Sequence, residues 1–164
     1  MNADDRYARL RPPTPTPSDD ICTCEAGAPL TLSTALSYNP IRCAACNGEV
    51  PLEPLDLSVR LVDDIASWRS VYDSLERLWL DSDEYEEWAV RELSDIGSYV
   101  NRLGLEVRRS LDAIRRCYYL YFEDQSVEAY SPRPACPSCG AAPVNRTYGR
   151  RSYRACDACS ILWG

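Results

Sequence analysis

Residues 135–159 read ACPSCGAAPVNRTYGRRSYRACDAC and carry four cysteines in two close pairs. Each pair has the spacing C-x2-C, and sixteen residues separate Cys139 from Cys156. This spacing is typical of a zinc ribbon, in which two tight turns aim four thiolates at one tetrahedral ion. A thioredoxin-like redox site needs a single C-x2-C beside a βαβ unit, which this Pro- and Gly-punctuated stretch does not offer. The stretch therefore predicts a closed, structural zinc site with the ligands Cys136, Cys139, Cys156 and Cys159.

The residues between the two pairs are expected to form a β-hairpin. Gly140 suits the turn that leaves the first pair, where a positive φ is often required. Gly149 predicts a turn between two short strands, Arg146–Tyr148 and Arg151–Tyr153. A unit of about 30 residues buries too little apolar surface to fold alone, whereas structural zinc contributes roughly 10 to 16 kcal/mol. The metal is therefore expected to hold together the C-terminal module, residues 131–164.

A second set of four cysteines lies in the N-terminal module, residues 21–54, with a less regular spacing. Cys22 and Cys24 form a C-x-C pair, and eighteen residues later Cys43 and Cys46 form a C-x2-C pair. Both sulfurs of the first pair can face one ion if the backbone kinks at Thr23, and an Asn-Gly turn follows the second pair. The alternative is that Cys43 and Cys46 are small buried side chains near two unrelated cysteines. The spacing favours a second zinc site and leaves this alternative open.

The middle of the chain, residues 55–130, is predicted to form about three helices and then a strand. Residues 63–80 place large apolar side chains on one helical face at steps of three and four: Ile65, Trp68, Tyr72, Leu75 and Trp79. A second helix is predicted from Asp83, with Glu86 completing a capping box, to a stop at Gly104. Its inward side chains would be Trp88, Leu93, Ile96, Val100 and Leu103. A third helix over residues 105–116 would bury Val107, Leu111 and Ile114.

Two strand regions and one irregular tail complete the predicted architecture. Residues 117–122, CYYLYF, alternate with period two, so that Tyr118 and Tyr119 should lie on opposite faces of a strand. Cys117 opens this strand without a close partner cysteine and is expected to be a core residue. Residues 29–38, PLTLSTALSY, are predicted to be a strand pair, and residues 1–20, with RPPTPTPSDD, a disordered, polyproline-like tail. The fold class is therefore α+β, with a helical middle flanked by two four-cysteine, zinc-ribbon-like β modules.

Composition argues against an enzyme and against a membrane protein. The chain has no histidine, which is the commonest general base, and it contains no GxSxG, HExxH, P-loop or GxGxxG motif. The first ten residues, MNADDRYARL, lack the features of a secretory signal, and no run approaches 18 apolar residues. The nine cysteines cannot all pair in intrachain disulfides. We therefore expect a non-enzymatic protein of the cytoplasm, where disulfides are rare.

Charge is distributed unevenly along the chain. The formal net charge is −7, divided as −3 over residues 1–54, −8 over residues 55–130 and +4 over residues 131–164. The basic ribbon can present Arg146, Arg150, Arg151 and Arg154 to phosphate, since the charge of the acidic helices is screened over roughly 8 Å. Tyr148 and Tyr153, together with Trp163, can offer faces for stacking on bases. The alternative is that these arginines pair with the acidic helices and that the aromatic rings cover the ribbon core.

From residue 20 onward the chain resembles a known family. The matching features are CTCE at residues 22–25, LSYNPIRCAACNGEVPLEPL at 36–55, CYYLYF at 117–122, RPACPSCG at 133–140 and CDACS at 156–160. They resemble a prokaryotic family of zinc-ribbon proteins, domain of unknown function 2310, for which nucleic-acid binding has been suggested. The resemblance implies that Cys22 and Cys24 share one site with Cys43 and Cys46. This chain has Glu53 where an aromatic residue would be expected.

Two function classes follow from these observations. In the first, the protein binds two structural zinc ions and contacts nucleic acid through the basic C-terminal ribbon. In the second, the acidic helices bind a protein partner, as an immunity or antitoxin-type protein does when it covers the anion-binding cleft of a basic toxin or enzyme. Glu84, Glu86 and Glu87 are the residues that would steer such a partner.

Overall fold

The computed structural model describes residues 5–25, 27–34 and 37–164. These residues form three α-helices, three short 3-10 helices and one six-stranded sheet. The strands are β1 (Leu30–Leu32), β2 (Ile41–Cys43), β3 (Cys117–Leu120), β4 (Val144–Tyr148), β5 (Arg151–Cys156) and β6 (Ile161–Trp163), and the helices are α1 (Val59–Asp81), α2 (Glu86–Ser94) and α3 (Tyr99–Asp112). The mixed α+β class and the helical middle agree with the sequence prediction.

The sheet joins the two cysteine modules into one structure. Its strand order is β2-β1-β3-β6-β5-β4. Strand β3 lies at the centre, parallel to β1 on one side and to β6 on the other, while the remaining pairs are antiparallel. Leu30 lies opposite Cys117 in the first of these pairs, and Tyr119 lies opposite Ile161 in the second. The N-terminal module therefore contributes one end of the sheet and the C-terminal ribbon the other.

The period-two alternation in β3 places its tyrosines on two different faces, as predicted. Tyr119 is fully buried on the helical side, where its ring meets Trp68 edge-on at 6.0 Å between centroids. Tyr118 lies on the opposite side in a small second cluster with Tyr153 and Leu162. Cys117 is buried at the start of the strand, so the prediction that it is a core residue is confirmed.

The first predicted helix is confirmed. It begins earlier than its apolar stripe, at Val59, because the Ser58 side chain accepts a hydrogen bond from the Leu61 N–H and caps the helix. Four of the five stripe side chains are buried, namely Ile65, Trp68, Tyr72 and Leu75. Trp79 is half-buried and meets Phe122 edge-on at 5.0 Å.

The second and third helices have different boundaries from those predicted. Helix α2 ends at Ser94, and α3 begins after Ser98, whose side chain accepts a hydrogen bond from the Asn101 N–H. Gly104 therefore lies inside α3 and does not end a helix. A Cβ at Gly104 would lie 2.6 Å from both Trp68 Nε1 and the Tyr119 ring, so packing requires this glycine and chain termination does not.

The predicted capping box and two predicted core positions are also wrong. Asp83 has a left-handed backbone (φ 52°), and α2 starts at Glu86 without a side-chain cap. Trp88 is 42% exposed because α2 packs through Ala89 and Leu93 instead. Ile114 is 45% exposed because α3 ends before it.

Residues 5–20 differ from the disordered tail that their composition predicts. Tyr7 and Leu10 are buried in the main core, since they are the apolar side chains of an otherwise polar segment. Three ion pairs hold this arm to residues 53–63: Arg6 to Asp56, Arg9 to Asp63 and Arg11 to Glu53. The carboxylate at Glu53, where the family resemblance implies an aromatic residue, thus has a partner in the arm.

Of the strand pair predicted within residues 29–38, the described residues of that range form one strand, Leu30–Leu32. Leu30–Leu32 pairs with Ile41–Cys43 beyond the predicted range, and Ala35 and Leu36 lie outside the described residues. Asn39 explains the register: its side chain accepts from the Ile41 N–H at 3.0 Å and donates to the Val50 carbonyl at 2.9 Å. The turn is therefore fixed by a buried amide.

Candidate metal centres

The four C-terminal cysteines meet in one cluster. Their Sγ atoms all lie within 4.8 Å of one another. The Sγ atoms of Cys139 and Cys156 are 3.7 Å apart. A tetrahedral ion with metal–sulfur bonds near 2.3 Å requires an edge of about 3.8 Å, whereas a disulfide requires about 2.05 Å. The separation fits ligands of one tetrahedral metal ion and not a disulfide.

The first turn of this cluster has the backbone that its sequence predicts. Gly140 has φ 71°, and its N–H donates to the Cys136 carbonyl at 3.0 Å, while the Cys136 N–H donates to the Ala141 carbonyl at 2.9 Å. The Ala141 N–H points at the Cys139 sulfur and lowers the pKa of that thiol to about 7. The turn therefore favours the thiolate form of Cys139, whereas burial raises the pKa of the Cys136 thiol.

The second turn is positioned by the end of the hairpin. Strand β5 ends at Cys156. Ser160 follows Cys159 with a positive φ of 54° and connects it to β6, which begins at Ile161. The predicted hairpin about Gly149 is confirmed, with Tyr148 paired to Arg151. The left-handed serine gave no signal in the sequence, because serine seldom adopts this conformation.

The N-terminal cysteines form a second cluster of the same size. The Sγ atoms of Cys22, Cys24, Cys43 and Cys46 all lie within 4.8 Å of one another. The C-x-C pair reaches the site along a short bridge of backbone hydrogen bonds, in which the Cys22 N–H donates to the Glu49 carbonyl at 2.8 Å. A Cβ at Gly48 would lie 2.8 Å from the Cys22 nitrogen, so only glycine permits this approach.

The turn from Cys43 to Cys46 repeats the geometry of the C-terminal cluster. Asn47 takes the left-handed place (φ 60°), and its N–H donates to the Cys43 carbonyl at 2.8 Å. The Gly48 N–H then donates to the Cys46 sulfur at 3.3 Å. Burial alone would raise the pKa of the Cys43 thiol, but the N–H groups of Cys46 and Ala45, together with hydrogen bonds from the neighbouring thiols of Cys22 and Cys46, outweigh it and lower the pKa. The interpretation of these cysteines as unrelated buried side chains is disfavoured.

Each cluster can hold one metal ion with four sulfur ligands. Such a site is closed, since every tetrahedral position is filled by protein and none remains for water or substrate. Cys117 belongs to neither cluster, and burial raises the pKa of its thiol. The two cysteine groups that could hold a metal ion therefore consist of the residues that the sequence proposes as ligands.

Two of the four ribbon arginines that the sequence predicts to contact phosphate have partners within the protein. Arg146 forms an ion pair with Asp157, which lies between the two cysteines of the second turn. Arg154 donates to the carbonyls of Pro132 and Arg133, at 2.7 and 2.6 Å. Arg150 and Arg151 are exposed at the hairpin tip, and neither forms an ion pair within the described residues.

The sequence predicts that the aromatic residues of the ribbon offer faces for stacking on bases. In the structure these rings are buried or half-buried instead. Tyr153 and Trp163 are buried, and the Trp163 indole donates to the Arg133 carbonyl at 3.0 Å. Tyr148 is half-buried between Tyr118 and Tyr153, with ring centroids 5.9 and 6.5 Å away. Tyr148 and Tyr153 belong with Tyr118 to the small second core on the sheet face opposite the helices, whereas Trp163 is part of the main core.

The structure exposes apolar side chains beside the acidic residues that the sequence predicts to steer a protein partner, and the exposure of Trp88 was not predicted. Three large apolar side chains are exposed within residues 80–88: Leu80 (54%), Tyr85 (53%) and Trp88 (42%). Five exposed carboxylates surround them in the sequence, namely Asp81, Asp83, Glu84, Glu86 and Glu87. Within the part of the chain that the structure describes, none of the five forms an ion pair. We call residues 80–88 the acidic-aromatic surface.

No described helix has the length and apolar character needed to span a membrane.

Comparisons with known proteins give one match. Neither a curated protein nor a solved structure matches the chain. The model of the family described as Domain of unknown function (DUF2310) matches residues 30–122, which include Cys43 and Cys46 but not the other cysteines of the two clusters. Because the match covers more than half of the 164 residues, the protein belongs to the DUF2310 family.

Proposed function

We propose that this protein is a non-enzymatic, zinc-stabilised binding protein that recognises a basic protein partner through its acidic-aromatic surface. The observation that carries the proposal is the exposure of Trp88 and Tyr85 among five carboxylates that have no ion-pair partner among the described residues. Exposed aromatic side chains with a charged rim are typical of interface centres.

Zinc is the ion that the ligands favour. Eight thiolates in two tetrahedral sets match Zn²⁺, which has no redox chemistry and takes four sulfur ligands in structural sites. Each such site adds −2 to the formal net charge of −7. The closed sites and the lack of histidine both argue for a structural metal and against catalysis. The proposal places the protein in the cytoplasm, where thiols stay reduced.

Charge complementarity identifies the partner class. Asp56, Asp63 and Asp157 are paired with arginines, whereas the five carboxylates of the acidic-aromatic surface face solvent without an ion pair among the described residues. A partner with a basic cleft would be steered to this surface and would bury the apolar rings at its centre. An immunity or antitoxin-type role, in which the surface covers the anion-binding cleft of a basic toxin or enzyme, fits this arrangement.

The test is partner capture from native cells with nuclease-treated extracts. Trp88→Ala should reduce the recovered partner at least tenfold, since central aromatic residues carry much of the binding energy. Tyr99→Ala is the matched control, because Tyr99 is 61% exposed but lies on α3, outside the surface. Replacing Glu84, Glu86 and Glu87 with Gln should slow association and weaken its salt dependence. Equal recovery with Trp88→Ala and wild type would contradict the proposal.

Nucleic-acid binding is the second candidate, and the exposed tip of the ribbon favours it. Because Arg146 and Arg154 have partners within the protein, Arg150 and Arg151 are left to contact about two phosphates. The slope of log K against log salt on duplex DNA would then be about −1.8, half of that for four contacts. Replacing both tip arginines with Ala should abolish binding. Negligible binding to DNA and RNA at about 50 mM salt would reject this candidate.

A further inference from the structure

The hairpin of the C-terminal ribbon reaches the N-terminal metal cluster. Its tip, Gly149, has φ 58°, and a Cβ there would clash with the carbonyl of Ala45. Ala45 lies between Cys43 and Cys46, inside the turn that supplies two ligands of the N-terminal site. The base of the same hairpin ends at Cys156, a ligand of the C-terminal site. One hairpin therefore connects the two metal clusters.

Few other contacts hold the outer strand of this hairpin. The first four residues of β4, Val144–Thr147, are exposed, and β4 is an edge strand of the sheet. Besides its pairing with β5, β4 is attached by the ion pair of Arg146 with Asp157 and by Tyr148, whose hydroxyl donates to that of Tyr118 at 3.1 Å. These two side-chain contacts lead to the C-terminal module and to β3, whereas the contact between Gly149 and Ala45 is the one that places the tip against the N-terminal cysteine turn.

We propose that the β4–β5 hairpin couples the two metal sites, so that each binds its ion more tightly when the other is loaded. An ion in the N-terminal site fixes the Cys43–Cys46 turn and with it the surface on which Gly149 rests. A seated tip fixes the hairpin, and the hairpin fixes Cys156 in the other site. Coupling between two sites through a shared element is reciprocal, and factors of about 5 to 150 are usual.

A thermodynamic cycle on the full chain tests the coupling. Zinc dissociation constants are measured by competition with a chelator, and cobalt(II) serves as the spectroscopic probe of tetrahedral sulfur ligation. Cys22→Ser/Cys24→Ser leaves only the C-terminal site, and Cys136→Ser/Cys139→Ser leaves only the N-terminal site. If the sites are independent, the product of the two wild-type constants equals the product of the single-site constants. We expect the wild-type product to be about tenfold smaller, and equality would overturn the proposal.

The hairpin tip is tested separately, without removing any ligand. At one equivalent of zinc per chain, native mass spectrometry should show a larger singly loaded fraction for Gly149→Ala than for wild type. Arg150→Ala is the matched control, because Arg150 lies in the same turn and is exposed, and it should behave as wild type. An unchanged singly loaded fraction in Gly149→Ala would overturn the assignment of coupling to this contact. Both measurements read metal loading alone, so they do not depend on the proposed protein partner.

Discussion

At the scale of single residues, backbone conformation and close packing decide positions that composition leaves ambiguous. Each C-x2-C turn is followed by a left-handed residue, and three different residue types fill this place: Gly140, Asn47 and Ser160. Gly104, by contrast, has the backbone conformation of an ordinary helical residue. It must be glycine because Trp68 and Tyr119 occupy the space that a side chain would need. A glycine in a helical pattern therefore indicates an end or a close contact, and only neighbours distinguish the two.

Gly104→Ala should destabilise the protein by about 1 to 3 kcal/mol, because the added methyl group overpacks the Trp68–Tyr119 contact. Helix propensity alone would predict the opposite sign, a gain of roughly 1 kcal/mol. The free energy of unfolding in urea measures the difference. Gly97→Ala is the control, since Gly97 is exposed and a methyl group there would have only the flexible Asp95 side chain within 4 Å. A stabilised Gly104→Ala would refute this account of the packing.

At the scale of elements, segments far apart in the sequence determine how each element is held. Asn101 on α3 is fully buried and donates to the carbonyls of Leu93 and Asp95 at 2.8 Å, which satisfies the end of α2. Its side-chain oxygen accepts from the Tyr119 hydroxyl at 2.7 Å, so the same amide joins α2, α3 and β3. The N-terminal arm is held in a comparable way, by Leu10 in the core and by arginine–carboxylate pairs around it.

Leu10→Ala should lower the free energy of unfolding by about 2 to 5 kcal/mol, as expected for a leucine removed from a packed core. Pro13→Ala, at an exposed position of the same arm, should change it by less than about 0.5 kcal/mol. Denaturant unfolding of both variants gives the comparison. Equal stability of Leu10→Ala and wild type would mean that the arm is detached, as its proline content suggests.

At the scale of the whole molecule, one core serves all parts of the chain. Buried side chains from the arm, both cysteine modules and the three helices belong to the same cluster, including Cys43, Cys136 and Cys156. The central strand β3 receives the helices on one face and lies between strands of the two modules at its edges. Metal ligands and helices therefore depend on the same sheet.

Removal of metal by a chelator should abolish most of the helical circular dichroism, because α3 and Trp68 of α1 pack on β3 in a sheet to which both cysteine clusters contribute strands. A helical middle with a core of its own, as the sequence pattern suggests, would keep its helical circular dichroism instead.

Elemental analysis of the purified protein should give two zinc ions per chain. One ion would remove the N-terminal site, and none would refute both sites.

The sequence by itself determined the parts of this protein that depend on short-range geometry. The ligand spacings, the hairpin about Gly149, the stripe of α1 and the alternation in β3 are all set within a few residues, so their patterns can be recognised without a fold. Tertiary structure alone decided that Gly104 lies within a helix, that Trp88 is exposed and that Leu10 is buried. It also decided that Arg146 pairs with Asp157 at the surface and that Tyr153 is buried. These outcomes depend on contacts between distant segments, and burial is a property of the assembled sheet and helices that no local pattern contains.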